Sequence, residues 1–304
     1  MEDQALERRP VNDTAAKHAG WASSLGLLRL MRPKHWIKNV FVLAPLVFSG
    51  EFLSASAVLA ALQASVLFCI ASSATYVVND LHDIEYDRRH ASKAKLRPLA
   101  SGLVSPRAAL RLLALLYAVL ALGWFFSPRV LMVIAVYVVL NFAYTRVLKH
   151  QPVIDIFTVA FGFVLRIYAG AVALNVGVSA WMAITTLCLA LYLAAIKRRQ
   201  ELSLGGTEGR KVLERYSVAL VDRYAEMAAT GALIFYCLFV MSAKPQLVIT
   251  VPLVLFGLFR YWYVVEALDG GESPTDALLS DWPLFATVLA WGVACAWALW
   301  PAGG

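Results

Sequence analysis

Residues 56–87 read SAVLAALQASVLFCIASSATYVVNDLHDIEYD: an uncharged run, 56–79, leads straight into Asp80, Asp83, Glu85 and Asp87. An α-helix needs about 20 mostly apolar residues to cross the hydrocarbon core of a bilayer. The first part of the stretch meets that requirement, and the second places a dense acidic cluster at the membrane border. Working outward, eight more apolar runs of spanning length flank it. The nine expected helices lie at 36–53, 56–79, 108–127, 129–147, 153–175, 179–197, 224–243, 246–265 and 282–300.

The whole chain has the same bias. Of 304 residues, 60% are hydrophobic and 15% charged, against about 45–50% and 25% in soluble domains. The expected fold class is therefore all-α, a polytopic membrane protein rather than a cytosolic enzyme or a disulfide scaffold. The formal net charge of +7 does not point to nucleic acid, because the basic residues fall between apolar runs instead of forming a stripe on a soluble face. Cys69, Cys188, Cys237 and Cys295 lie in apolar segments without a metal-ligand spacing, as small packing residues do. The polar start of the chain has no short apolar core followed by a cleavage site, so no removable leader is expected. Residues 1–28 are set apart as a polar segment, with 29–304 as the helical domain.

The basic residues alternate with the spans. One side collects Arg8, Arg9, Lys17, Arg29, Arg32, Lys34, Lys38, Arg88, Arg89, Lys93, Lys95, Arg97, Arg107, Arg111, Arg146, Lys149, Lys197, Arg198, Arg199, Arg210, Lys211, Arg215, Arg223 and Arg260; the other has Arg129 and Lys244, which leaves Arg166 alone inside a span. Short loops rich in Lys and Arg stay in the cytoplasm. The N-terminus and the long loops are thus expected on the cytoplasmic side of the plasma membrane.

At about 100° per helical residue, Asp80, Asp83 and Asp87 share one face, with Asn79 beside them. Three like charges on one face repel unless a cation holds them together. Mg²⁺ takes hard oxygen ligands and commonly joins one or two carboxylates to substrate phosphates. His82 points off that face. Lys38, Arg88 and Arg97, interleaved with or close to these carboxylates, read as anion ligands. Asp155 and Arg166 lie inside the fifth run, three turns apart, and intramembrane charges are functional hypotheses by default; a substrate cavity lined by both is expected. A last polar cluster, Lys197-Arg198-Arg199-Gln200-Glu201, ends the sixth run. There Lys197 and Glu201 have the spacing of a helix-surface pair, while Arg198, one step round, offers a fork suited to phosphate.

These motifs resemble the UbiA-type intramembrane prenyltransferase superfamily. Asn79-Asp80-x-x-Asp83-x-x-x-Asp87 at the end of the second run is similar to its first aspartate motif, and Asp155 through Arg166 to Gly170 to its fifth helix. The resemblance implies a nine-helix bundle with a central cavity open to the cytoplasm, and Mg²⁺ held by Asn79, Asp80, Asp83 and Asp87. Where that superfamily has a second aspartate motif, this chain has the cationic Lys197–Glu201 stretch. That departure resembles the polyprenyl-phosphate phosphoribosyltransferase branch, as do Arg32-Pro33-Lys34-His35-Trp36-Ile37-Lys38-Asn39, Arg97-Pro98-Leu99-Ala100 and Arg210 to Tyr216. The branch implies transfer of 5-phosphoribose from 5-phosphoribosyl 1-diphosphate to a polyprenyl phosphate, feeding cell-envelope glycoconjugate synthesis. The residues expected to act are Asp80, Asp83, Asp87 and Lys38. Asn39, Arg88, Lys93, Arg97, Tyr144, Arg166, Lys197, Arg198 and Glu201 are expected to bind substrate. The partners expected are the lipid bilayer and the two substrates, with a homo-oligomer also compatible. The alternative reading is a UbiA-type enzyme moving a prenyl group from a prenyl diphosphate to an aromatic acceptor. A transporter fits poorly, because the charges do not continue to the far side.

Overall fold

The computed structural model describes residues 24–89, 91–203, 211–268 and 274–300, apart from the side chains of 91–93 and 211. Among the described residues there is no strand. The long helices are α1 (Ala55–His82), α2 (Pro106–Gly123), α3 (Pro128–Arg146), α4 (Ile154–Leu174), α5 (Ala180–Ser203), α6 (Val218–Ala243), α7 (Val251–Ala267) and α8 (Trp282–Ala298). Their ends carry the expected chemistry. Proline, which has no N–H to satisfy, opens α2 and α3. Ser217 and Asp281 cap α6 and α8 by accepting from the Leu220 and Leu284 N–H groups. Asn175 closes α4 in the left-handed region, at φ 55°.

Seven helices among the described residues are long and apolar enough to cross a membrane, counting Pro245–Ala267 as one. The short helix Pro274–Ser280 and α8, bent by 95° at their junction, make an eighth if taken together. The expected first span, 36–53, is not one helix. It is a 3₁₀ run (Pro33–Leu43), one short α-turn (Ala44–Ser49) and a 3₁₀ turn (Glu51–Leu53). Hydropathy counts side chains, but the backbone here is broken. Pro45 supplies no hydrogen bond donor, Gly50 turns at φ 83°, and β-branched Ile37, Val40 and Val42 resist the α-form.

The described residues form two compact units, 24–33 with those of 73–118, and 34–72 with those of 119–300. In the first, Leu30, Val77, Leu99, Val104 and Ala109 are fully buried or nearly so. Gly26 lies so close to Val104 that a Cβ would stand 2.7 Å from its methyl. In the second, α5 packs along α6, and a cluster round Tyr192, Ile196, Leu213, Val221 and Val264 joins α5, α6 and α7 to the 3₁₀ turn Lys211–Arg215. A separate cluster holds Val42 and Ala169 against Phe68, Ile134 and Tyr137. The four cysteines are free and are half-buried or, for Cys295, buried.

Candidate active site

The carboxylates lie in the first unit. α1 ends at His82, but helical hydrogen bonds continue through the break: the Asp83 N–H donates to the Asn79 carbonyl (2.9 Å) and the Asp87 N–H to the Asp83 carbonyl (2.8 Å). Asp80 and Asp87 are therefore brought to one side, both 2% exposed. One guanidinium nitrogen, Arg97 Nη1, donates to Asp80 Oδ1 (2.9 Å) and Asp87 Oδ2 (2.6 Å). Arg32 Nη2 also donates to Asp80 Oδ1, at 2.6 Å, and its guanidinium lies over the Tyr76 ring.

One expectation is corrected here. The acidic trio does not converge: Asp83 Oδ1 lies 2.8 Å from His82 Nδ1, and no three acidic, His or Cys groups among the described residues form a ready metal cage. Arg97 is engaged by the carboxylates themselves, because two buried like charges demand a counter-ion from their own chain. The donor set nonetheless fits a hard divalent ion. Asp80 and Asp87 converge on a single point, Asn79 lies next to Asp80, and Mg²⁺ needs only one or two carboxylates when phosphates supply the rest.

The second unit holds a cationic cleft of about 160 Å³. Lys38, Tyr144, Lys197 and Arg198 line it; Phe41, Val159, Phe163 and Leu193 form an apolar wall. Pro274, Thr275 and Leu278 of the short helix Pro274–Ser280 complete it, and that helix is tied to the 3₁₀ run Pro33–Leu43 by the Lys34–Asp276 ion pair. Arg198 is fixed from three sides. Its Nε donates to Asp155 Oδ2 (2.7 Å), Nη1 to Glu201 Oε2 (2.5 Å) and Nη2 to the Tyr144 hydroxyl (3.2 Å). The Tyr216 hydroxyl donates to Asp155 Oδ1 (2.7 Å) and accepts from the Val153 N–H (2.5 Å). Val153 has φ 68°, a conformation rare for a β-branched residue, and Tyr216 satisfies the amide that this turn exposes. Burial, reinforced by the Asp155 carboxylate, raises the Tyr216 phenol above its ordinary pKa, so it stays a donor.

Asp155 and Arg166 do not share a cavity. Asp155 is fully buried beneath Arg198. Arg166, 4% exposed, donates to Asn39 Oδ1 (2.8 Å), the Gly162 carbonyl (2.7 Å) and the Tyr137 hydroxyl (3.3 Å). Phe68, Tyr137 and Phe163 surround its guanidinium at 5.1 Å. Asn39 also donates to Ser72 Oγ at 3.2 Å, so this pair ties α4 to the run Pro33–Leu43 and to α1. Arg88 donates to exposed Glu85. Lys93 sits in the short helix Ala91–Leu96, its side chain outside the described part, and Arg210 lies outside the described residues. Of the tyrosines on the spans, only Tyr144 reaches the cleft. Tyr192 donates to the Leu258 carbonyl and Tyr168 is exposed. Sequence spacing pairs Glu201 with Lys197; in the structure it also accepts from Arg198. The roles of Arg32, Tyr216 and the Asp155–Arg198 pair had no local signal, since their partners lie 43–63 residues away.

The sequence profile of the UbiA prenyltransferase family matches residues 40–280. A decaprenyl-phosphate phosphoribosyltransferase of Mycolicibacterium smegmatis is 35% identical, over 94% of this chain and 96% of its own. One of Corynebacterium glutamicum is 35% identical, over 88% and 84%. A UbiA homologue of Archaeoglobus fulgidus, solved with GPP and Mg²⁺, superposes with a TM-score of 0.70 at 18% identity, covering 90% of this chain and 99% of that one. This last likeness concerns the fold.

Proposed function

The chain belongs to the UbiA prenyltransferase family, and we propose that it transfers 5-phosphoribose from 5-phosphoribosyl 1-diphosphate to a polyprenyl phosphate, releasing diphosphate. The relatives named above support the reaction. The observation that carries it is the cleft where Lys38, Lys197 and Arg198 meet an apolar wall. The ribose donor brings a diphosphate and a separate 5-phosphate, and the acceptor brings another phosphate on an apolar chain. Such a substrate set needs fixed cations beyond a single acidic metal site.

Asp80 and Asp87, with Asn79 beside them, are the residues that would hold Mg²⁺, which when bound offsets charge growing on the departing diphosphate. Lys38 and Lys197 bind a phosphate as point charges. Arg198, held in one orientation by Asp155 and Glu201, presents its remaining N–H groups without reorganising. Phe41, Val159, Phe163 and Leu193 take the first isoprene units of the acceptor. A phosphate oxygen of the lipid attacks ribose C1 as the bond from C1 to the diphosphate oxygen breaks. Positive charge develops on the ring in transit, as in glycosyl transfer generally. The nucleophile is already an anion, so no general base is required. The protein works as a multi-pass enzyme of the plasma membrane with its site on the cytoplasmic side.

Purified protein incubated with Mg²⁺, labelled 5-phosphoribosyl 1-diphosphate and polyprenyl phosphate should yield lipid-extractable label. Label passing only from a prenyl diphosphate to an aromatic acid would overturn the proposal in favour of prenyl transfer.

A further inference from the structure

We infer that Arg97 is an exchangeable counter-ion that couples metal binding to diphosphate binding. The inference rests on the metal site proposed above. Asp80 and Asp87 are almost fully buried, and their shared point is held by Arg97 Nη1. Mg²⁺ cannot bind both carboxylates at that point while the guanidinium is there. The like charge would also repel it at close range.

Two features show that Arg97 is able to leave. It is 27% exposed at its side chain, and it follows the end of the helix Ala91–Leu96 in a non-helical stretch that runs to Ser105. Arg198, in contrast, is 4% exposed and rigid within α5. Arg32 also remains on Asp80 when Arg97 moves, so that carboxylate never stands without a counter-charge.

The charge balance then dictates the coupling. With no substrate, one arginine bridges two acids. When the metal takes the carboxylates, Arg97 is displaced into solvent with its charge unpaired, which is unfavourable unless a diphosphate is present to receive it. A guanidinium pairs with phosphate oxygens bidentately. Each ligand therefore improves the affinity of the other by the same factor.

The test uses calorimetric titration of the full-length protein in detergent with Mg²⁺, with and without inorganic pyrophosphate. Wild type should bind Mg²⁺ weakly alone and at least ten-fold more tightly with pyrophosphate. R97Q should bind Mg²⁺ alone at least ten-fold more tightly than wild type, and pyrophosphate, left only its direct contact with the ion, should tighten binding by a smaller factor than it does in wild type. R97K keeps the charge but loses the two-carboxylate bridge, so its Mg²⁺ affinity should fall between the two, and it serves if R97Q fails to fold. Unchanged or weaker Mg²⁺ binding in a variant with wild-type Tm would overturn the inference. If that binding is still abolished by D87N, the metal site stands and only the exchange fails. No Mg²⁺ binding to wild type under either condition would remove both.

Discussion

Gly170→Ala tests the packing that positions Lys38. A Cβ built on Gly170 would stand 1.9 Å from the Val42 carbonyl oxygen, 2.9 Å from its carbon and 3.2 Å from Pro45 Cδ. Ordinary contact is about 3.5 Å, so α4 and the run Pro33–Leu43 would have to separate by about 1.5 Å. The obstacle is backbone and cannot rotate aside. Alanine favours the helix over glycine by about 1 kcal/mol, whereas overpacking costs about 1–3 kcal/mol or more, and a clash this short belongs at the upper end. The net expectation is a loss of about 2 kcal/mol, which at the scale of a large domain is roughly 4–8 °C in Tm. Because the displaced segment carries Lys38 and Asn39, kcat should fall as well. Gly292→Ala is the matched control: it is also helical, with nothing within 4 Å of the added carbon, so its Tm should be equal or slightly higher. Thermal unfolding in detergent followed by tryptophan fluorescence decides the matter. A Gly170→Ala protein as stable as wild type would refute the close approach of these backbones.

Asp155→Asn leaves Arg198 with a single carboxylate, Glu201. Breaking a buried pair costs about 3–5 kcal/mol; with one partner kept, the lower end is expected, read as a reduced Tm with a raised donor KM. Asp87→Asn should abolish turnover while Asp83→Asn, altering a carboxylate that lies beside His82, should retain part of it; equal kcat values for the two would restore a shared trio. Lys197→Ala should raise the KM of one phosphate-bearing substrate about ten-fold or more, and unchanged kinetics would remove it from the cleft's function. Arg166→Lys keeps the charge but cannot donate at once to Asn39, Gly162 and Tyr137, so a lower Tm is expected; wild-type stability would show that charge alone suffices.

Most of the helices were legible because a bilayer makes hydropathy a strong constraint. Runs expected at 108–127, 129–147 and 153–175 became Pro106–Gly123, Pro128–Arg146 and Ile154–Leu174. α1 and α5 run further, to His82 and Ser203, because polar residues continue a helix once it has left the apolar core. The first run misled for the opposite reason. Its composition suits a span, yet Pro45 and Gly50 divide it. The common face of Asp80 and Asp87 was legible from helical periodicity, since only local geometry was involved. Their counter-ions were not, because Arg32 and Arg97 arrive from 48 and 17 residues away, and periodicity is silent on tertiary partners.

Charge type alone therefore could not sort this chain's cations, and their surroundings do. Arg166 is enclosed by neutral acceptors and three aromatic faces. Each of its three nitrogens is directed at a different part of the protein, which makes it a strut between helices. Arg198 is held on one side and open on the other, since Asp155 and Glu201 fix its plane while the cleft receives its edge. Lys38 and Lys197 line that cleft on flexible stems suited to a mobile phosphate. Arg97 differs from all of these, because its partners are Asp80 and Asp87, the carboxylates proposed above to take a divalent ion. For Arg166, Arg198 and Arg97, then, the protein's own carboxylates and carbonyls decide how much of each guanidinium a phosphate can reach.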